Sequence, residues 1–387
     1  MKTEDVKDQY IRLSNDINLE FLTTELDWIC EKLLSNIKRF EDHFPSACTI
    51  DGKYRIKGND DWTNGFWTGM LWMAYLHTGK EDFRRVARAN VQSFNERLEA
   101  HFILDHHDIG FLYSLSVVAA YEIEQEDILT PMILKAADKL IARFQSAGEF
   151  IQAWGPLGLE SEYRLIIDSL LNLPLLYKAS ELSGNEIYEK IANLHYHQVV
   201  NNIFREDFST YHTYYFDKTT GQPKNGATHQ GFSDQSCWAR GQAWAVLGIP
   251  LRARITGILD NQDTYVKATD YFLSKLPQDL VPYWDLAFDD DSNQPKDSSA
   301  LAIAACGMIE ASKVGYYTNA NQIAKGMIDS LAKQYTSKHV QEEEGILLHG
   351  VYAFAEGKGI DESNLWGDYF YMEAIYRLLY PDFKTFW

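Results

Sequence analysis

Positive charge is in short supply in this chain. Its 36 Lys and Arg stand against 55 Asp and Glu, a formal net charge of -19 over 387 residues. No run of Lys and Arg offsets the excess. A chain this acidic is neither a nucleic-acid binder nor drawn to an anionic membrane surface, and an anionic ligand must find its positive charge locally. Cysteine is scarce too. Cys30, Cys48, Cys237 and Cys306 lie far apart with no C-x-x-C spacing. Reduced thiols in a cytoplasmic protein are the simplest account. The opening segment MKTEDVKDQYIRLSNDINLE lacks the apolar core of a secretory signal. No apolar window approaches the length of a bilayer span. His101, His106, His107, His195, His197 and His212 form no H-E-x-x-H or related ligand spacing, so no metal is expected. A phosphate-cradling glycine loop and a dinucleotide fingerprint are missing, so no cofactor is expected either. There is no G-x-S-x-G nucleophile elbow.

What the chain does have is apolar and aromatic residues. Hydrophobic residues make up 45% and aromatic ones 14%, including 10 Trp and 23 Tyr. Many of these rings fall in loops between periodic segments, where they serve as stacking surfaces for sugars or bases, or simply as packing.

The periodic segments alternate. Helices are expected near residues 65, 109, 163, 234, 298 and 364 that are apolar nearly all round and rich in small residues. Between them, helices near 21, 81, 127, 186, 260 and 319 have one polar face. A helix without a polar stripe must be covered on every side, whereas an amphipathic one needs cover on one side only. Six of each kind predict an all-α double ring, an (α/α)6 barrel of six hairpins. Its long loops enter the inner helices at one end and converge on one mouth. The expected organisation is a single domain over residues 1–387, with residues 1–16 as an N-terminal extension. Phe204 to Phe232 departs from the pattern, because YHTYYFDKTTGQPKNG reads as a small hairpin.

The stretch Tyr163 to Lys178, YRLIIDSLLNLPLLYK, reads as one of the buried helices. It carries Asp168 in its first turns. A carboxylate there is costly unless paired, hydrogen-bonded or protonated. It is either a structural ion pair with Arg164 or an acid kept protonated near neutrality. Asp108, in HHDIGF just before another inner helix, is either an N-cap or a second site carboxylate. Two carboxylates with aromatic walls are the minimum set for glycoside hydrolysis. Arg240 and His212 add cationic recognition, suited to a sugar bearing a carboxylate. Arg240 is alternatively a structural bridge between inner helices.

Seven motifs in order carry a resemblance. DDWTNGFWTG, HHDIGF, AWGP, RLIIDSLLNLPLL, HQGFSDQSCWARGQAW, KDSSALAIAACG and ESNLWGDYFYMEAIYRL together resemble the unsaturated glucuronyl hydrolases, glycoside hydrolase family 88, from about Trp28 to Leu379. The resemblance implies an (α/α)6 barrel. It also implies action on the unsaturated disaccharides that polysaccharide lyases leave from chondroitin, hyaluronan or heparin. Asp168 would match the acid that protonates C4 of the C4=C5 double bond, and Asp108 its partner. Trp62, His107, Trp154, His212, Gln230, Arg240, Trp244 and Tyr352 would line the uronate subsite, with Trp154 and Trp244 as stacking walls. Family members that prefer sulfated disaccharides share an S-x-x-S-x-K stretch. Here its place is taken by Ala353 to Lys358, which keeps Lys358 but puts Ala353 and Glu356 where the hydroxyls stood. A weaker 6-sulfate preference is expected, because Glu356 would repel a sulfate.

Three other readings stay open on sequence. A related unsaturated rhamnogalacturonyl hydrolase would act on pectin fragments. An inverting glycosidase would use Asp108 and Asp168 as base and acid. A sugar-binding protein would have no need of a carboxylate on a buried helix. The expected state is monomer or homodimer.

Overall fold

Every second helix is covered on all sides because it belongs to an inner ring. The computed structural model describes residues 2–387. The inner ring is formed by Asn64–Thr78, by the continuous stretch Ile109–Glu124, and by Leu173–Ser183. Ala239–Thr256, Ser298–Val314 and Leu365–Leu379 complete it. Each packs on the next, and Leu365–Leu379 returns to Asn64–Thr78, which closes the ring. The outer helices are Leu19–Phe40, Glu81–Glu99, Thr130–Ile141, Ile187–Asn202, Gln262–Ser274 and Ala320–Gln334. The expected (α/α)6 barrel is therefore observed. Residues 3–13, within the expected N-terminal extension, form a helix docked on the last two outer helices, with the Tyr10 hydroxyl donating to the Leu280 carbonyl at 2.6 Å.

One inner helix has two local features. The inner helix that starts at Ile109 is interrupted by a π-helical stretch, Ser114–Val118. It also approaches the segment after Asp168 very closely. A Cβ on Gly110 would lie 2.3 Å from the Asn172 Cα, and the Phe111 N–H donates to Asn172 Oδ1 at 3.0 Å. Glycine at 110 is what lets the two carboxylate-bearing segments meet.

The loops of the mouth hold small antiparallel sheets. Phe44–Ile50 pairs with Lys53–Lys57, and Gly350–Ala353 with Lys358–Glu362. The expected hairpin between Phe204 and Phe232 is present as Thr213–Phe216 and Pro223–Ala227. It gains a third strand that corrects the reading of Tyr163–Lys178 as one helix. Arg164–Ile166 is a β-strand paired with Thr213–Phe216, Ile167–Leu171 is a 3-10 turn, and the α-helix begins only at Leu173. A short apolar run satisfies strand and helix equally well, and a partner strand about 50 residues away decides it.

Candidate active site

Asp168 sits on that 3-10 turn, not inside a helix. The strand before it fixes its direction, since the Ile167 N–H donates to the His212 carbonyl at 3.1 Å. Arg164 is not its partner. The guanidinium pairs with Glu162 at 2.9 Å and lies 4.7 Å over the Trp154 ring. Asp108 immediately precedes its helix yet makes no capping hydrogen bond. Its carboxylate turns instead towards two histidines, 3.2 Å from His106 Nδ1 and 3.3 Å from His107 Nε2. The same His107 nitrogen is 3.4 Å from Asp168 Oδ1. His107 is 1% exposed and held by its backbone, whose N–H donates to the Ala153 carbonyl at 2.7 Å. One buried imidazole thus lies between two carboxyl groups, with neither of its ring nitrogens hydrogen-bonded.

The two carboxyls do not share the same charge state. Burial lifts the Asp168 carboxyl well above the usual carboxylate range, and the charge of Asp108 raises it further, with Arg240 acting weakly the other way. Burial also opposes ionisation of Asp108. The neighbouring His107, His106 and Arg143 outweigh it and hold that carboxyl below its ordinary value. The proton of the pair therefore belongs on Asp168. Burial pushes the His107 imidazole down to about 4, so it is neutral at pH 7.

The remaining walls come from four loops. Trp62 stacks on Trp366, with centroids 5.4 Å apart, and its indole N–H donates to the Tyr352 hydroxyl at 2.9 Å. His212 is buried, and its Nδ1 accepts the backbone N–H groups of His229 and Gln230, both at 3.0 Å. Those two donors leave the proton of the neutral ring on Nε2. Burial and the neighbouring His229 and Arg240 keep His212 neutral. Trp154 faces His229 at 5.3 Å. At the rim Lys358 is paired with Glu356, which also lies 3.5 Å from His229. Trp62, His107, Asp108, Trp154, Asp168, His212, Gln230, Tyr352 and Lys358 all line one cavity of about 220 Å³, together with His229, Ala353 and Glu356.

Two residues expected in this wall are elsewhere. Trp244 is 1% exposed and packs against Phe111 and Phe370 at 5.6 and 5.5 Å, so it offers no stacking face to the cavity, although its indole N–H has no partner. Arg240 is also 1% exposed. It pairs with Asp297 at 2.9 Å and donates to the carbonyls of Val351 and Tyr352. It is the structural bridge, tying the helix Ala239–Thr256 to the strand that carries Tyr352. His229 was not among the expected residues. Its position beside Gln230 in the motif HQGF was the available signal.

One nitrogen of His107 and one oxygen each of Asp108 and Asp168 lie within 4.8 Å of one another. A cation taking these three donors would have to displace the Asp168 proton, since ligands bind deprotonated. The same spacing argues against the inverting-glycosidase reading. An inverting pair needs about 6.5–9.5 Å between carboxyl groups to admit a water, whereas here one oxygen of each lies within 4.8 Å of the other.

The family model of Glycosyl Hydrolase Family 88 matches residues 36–377. Among curated relatives, the unsaturated chondroitin disaccharide hydrolase of Streptococcus pneumoniae is 46% identical over 94% of this chain and 92% of its own length. Among solved structures, unsaturated glucuronyl hydrolase from Streptococcus agalactiae superimposes with a TM-score of 0.89 at 43% identity, covering 94% of each chain. The unsaturated glucuronyl hydrolase from Bacillus sp. GL1, described as responsible for the degradation of glycosaminoglycan, also gives a TM-score of 0.89. It is 38% identical and covers 96% of this chain and 99% of that one.

Proposed function

The chain belongs to glycosyl hydrolase family 88, and from that premise we propose that Asp168 is the acid and base of its reaction, with Asp108 as its charged partner. The protein is a glycoside hydrolase of the unsaturated glucuronyl hydrolase type and acts on unsaturated glycosaminoglycan disaccharides. The pectin-directed alternative is not favoured, since the relatives that match bear glucuronyl and chondroitin names.

The observation that carries the assignment is the meeting of the two carboxyl groups at one buried imidazole. A protonated Asp168 and an ionised Asp108 face the same neutral imidazole at the floor of an aromatic-walled cavity. The C4=C5 bond of the terminal uronate is a vinyl ether. Asp168 gives its proton to C4, and positive charge builds at C5, where the ring oxygen stabilises it. The carboxylate left on Asp168 then takes a proton from a water that adds to C5. The hemiketal so formed opens, and the bond to the second sugar is lost as the rearrangement completes. One carboxyl group acting first as acid and then as base needs an affinity for protons poised near the working pH, and burial beside Asp108 raises it in that direction.

Trp154 and Trp62 are the stacking faces, and His212 Nε2–H and Gln230 are the polar contacts to substrate. The Lys358–Glu356 pair sits at the rim, where the second sugar leaves the cavity. Its internal neutralisation supports a weaker response to a 6-sulfate. No helix among the described residues is long and apolar enough to cross a membrane. Four unpaired thiols support a cytoplasmic setting.

The test is the ultraviolet absorbance of an unsaturated chondroitin disaccharide. The conjugated double bond absorbs and its hydrate does not. Absorbance falls with the wild type and persists with Asp168→Asn. An equal fall with both proteins removes Asp168 from the role. No fall with disaccharides of chondroitin, hyaluronan or heparin removes the hydration reading altogether.

A further inference from the structure

A histidine outside the cavity is wired to the turn that carries Asp168. His195 lies on the outer helix Ile187–Asn202 and has no solvent exposure. Its buried neighbours on that helix include Ile191, Ala192 and Val199. An imidazole among such residues is costly unless both nitrogens are bonded. Both are. Nδ1 accepts the Ile151 N–H at 2.9 Å, and Nε2 lies 2.7 Å from Ser169 Oγ. The Ile151 N–H can only donate, so Nδ1 carries no proton and Nε2–H donates to Ser169. The Ser169 hydroxyl in turn donates to the Ile166 carbonyl. The chain of bonds has one direction only, because an N–H closes one end and a carbonyl the other.

This chain spans Asp168. Ile166 ends the strand before it, and Ser169 is the residue after it. The far end of the chain reaches the other half of the site. Ile151 stands two residues before Ala153, whose carbonyl holds the His107 N–H, and three before Trp154. A single imidazole therefore holds the turn of Asp168 in register with the segment that seats His107.

We propose that His195 is a positioning residue for Asp168, acting through Ser169. It touches neither cavity nor substrate. Its Nε2–H orients the Ser169 hydroxyl, which pins the 3-10 turn to the strand and aims the Asp168 carboxyl at its pocket. The proposal rests on Asp168 being the acid, and the experiment separates the two.

Two substitutions divide the imidazole between its bonds. In His195→Gln the amide reaches the place of Nε2 and still donates to Ser169. In His195→Asn it reaches only the place of Nδ1 and still accepts from Ile151. Each loses one buried bond, so a purely structural role predicts equal effects. The expected result is that kcat of His195→Asn falls about tenfold or more, since displacements of about 1 Å can cost about a hundredfold. KM should stay within about twofold, and His195→Gln should stay near wild type. Ser169→Ala, which removes one hydroxyl and keeps the histidine, should fall with His195→Asn. Equal kcat losses in the Asn and Gln variants that track their melting temperatures overturn the proposal, as does full activity in Ser169→Ala. Asp168→Asn is run alongside. Activity there refutes the assignment of the acid, whereas an inactive Asp168→Asn beside a fully active Ser169→Ala refutes only the positioning role.

Discussion

Replacing Asp108 by Asn removes a charge and little else, which makes it the most direct probe of the paired carboxyls. The Asp108 and Asp168 oxygens lie within 4.8 Å of one another. At an effective dielectric constant of about 20, two unit charges at that distance repel by roughly 3.5 kcal/mol. That repulsion adds to the effect of burial in keeping the proton on Asp168. Without it the carboxyl is less reluctant to ionise, though burial still holds it above the ordinary range. A raised carboxyl is in its acid form below its raised value and loses that form as pH rises through it. The basic limb of the kcat–pH profile therefore moves to lower pH in Asp108→Asn. On the alkaline side the acid form is depleted by up to about 400-fold, which is the same energy at 1.36 kcal/mol per decade. The assay is the loss of absorbance of an unsaturated chondroitin disaccharide, followed at saturating substrate across the pH range. A limb that stays in place, or moves to higher pH, refutes the account of the pair.

Three further outcomes are expected. Asp168→Asn should be more stable than the wild type at neutral and alkaline pH, because a carboxyl whose native value is raised costs stability once the unfolded chain ionises. The gain is absent below about pH 4, where both states are protonated, and grows towards the raised native value; melting temperatures across pH measure it. Arg240→Ala strands Asp297, which has no solvent exposure, and should lower stability in urea by about 3–5 kcal/mol, as breaking a buried ion pair does. Glu356→Ser frees Lys358 at the rim and should raise the ratio of kcat/KM on 6-sulfated over unsulfated chondroitin disaccharide, whereas an unchanged ratio would show that Glu356 does not oppose the sulfate.

The barrel was legible in the sequence for a local reason. Whether a helix carries a polar stripe is written in its own residues, as in Ser298–Val314 against Ala320–Gln334, and alternating the two kinds leaves one way to cover both. Helix ends are set just as locally where one residue decides them. Gly79 ends its helix with φ of 66°, and Asn364 caps the last inner helix by accepting the Gly367 N–H at 2.7 Å. The strand Arg164–Ile166 was not legible, because its apolar residues suit either structure and only Thr213–Phe216 selects one.

The site divides the same way. The sequence by itself determined which residue types reach the mouth, since each motif lies in or beside a loop that enters an inner helix. It could not determine which way a residue faces on a helix buried all round. Trp244 and Arg240 therefore read as cavity walls although both are buried, Trp244 among aromatic rings and Arg240 against Asp297 and the strand that carries Tyr352. Nor could it determine the charge state of Asp168. That depends first on burial of the carboxyl, then on the charge of Asp108, sixty residues earlier, and on the glycine at 110 that lets their segments meet. The strength of a charge's interactions is set by distance and by exclusion of water, and both exist only once the ring has closed.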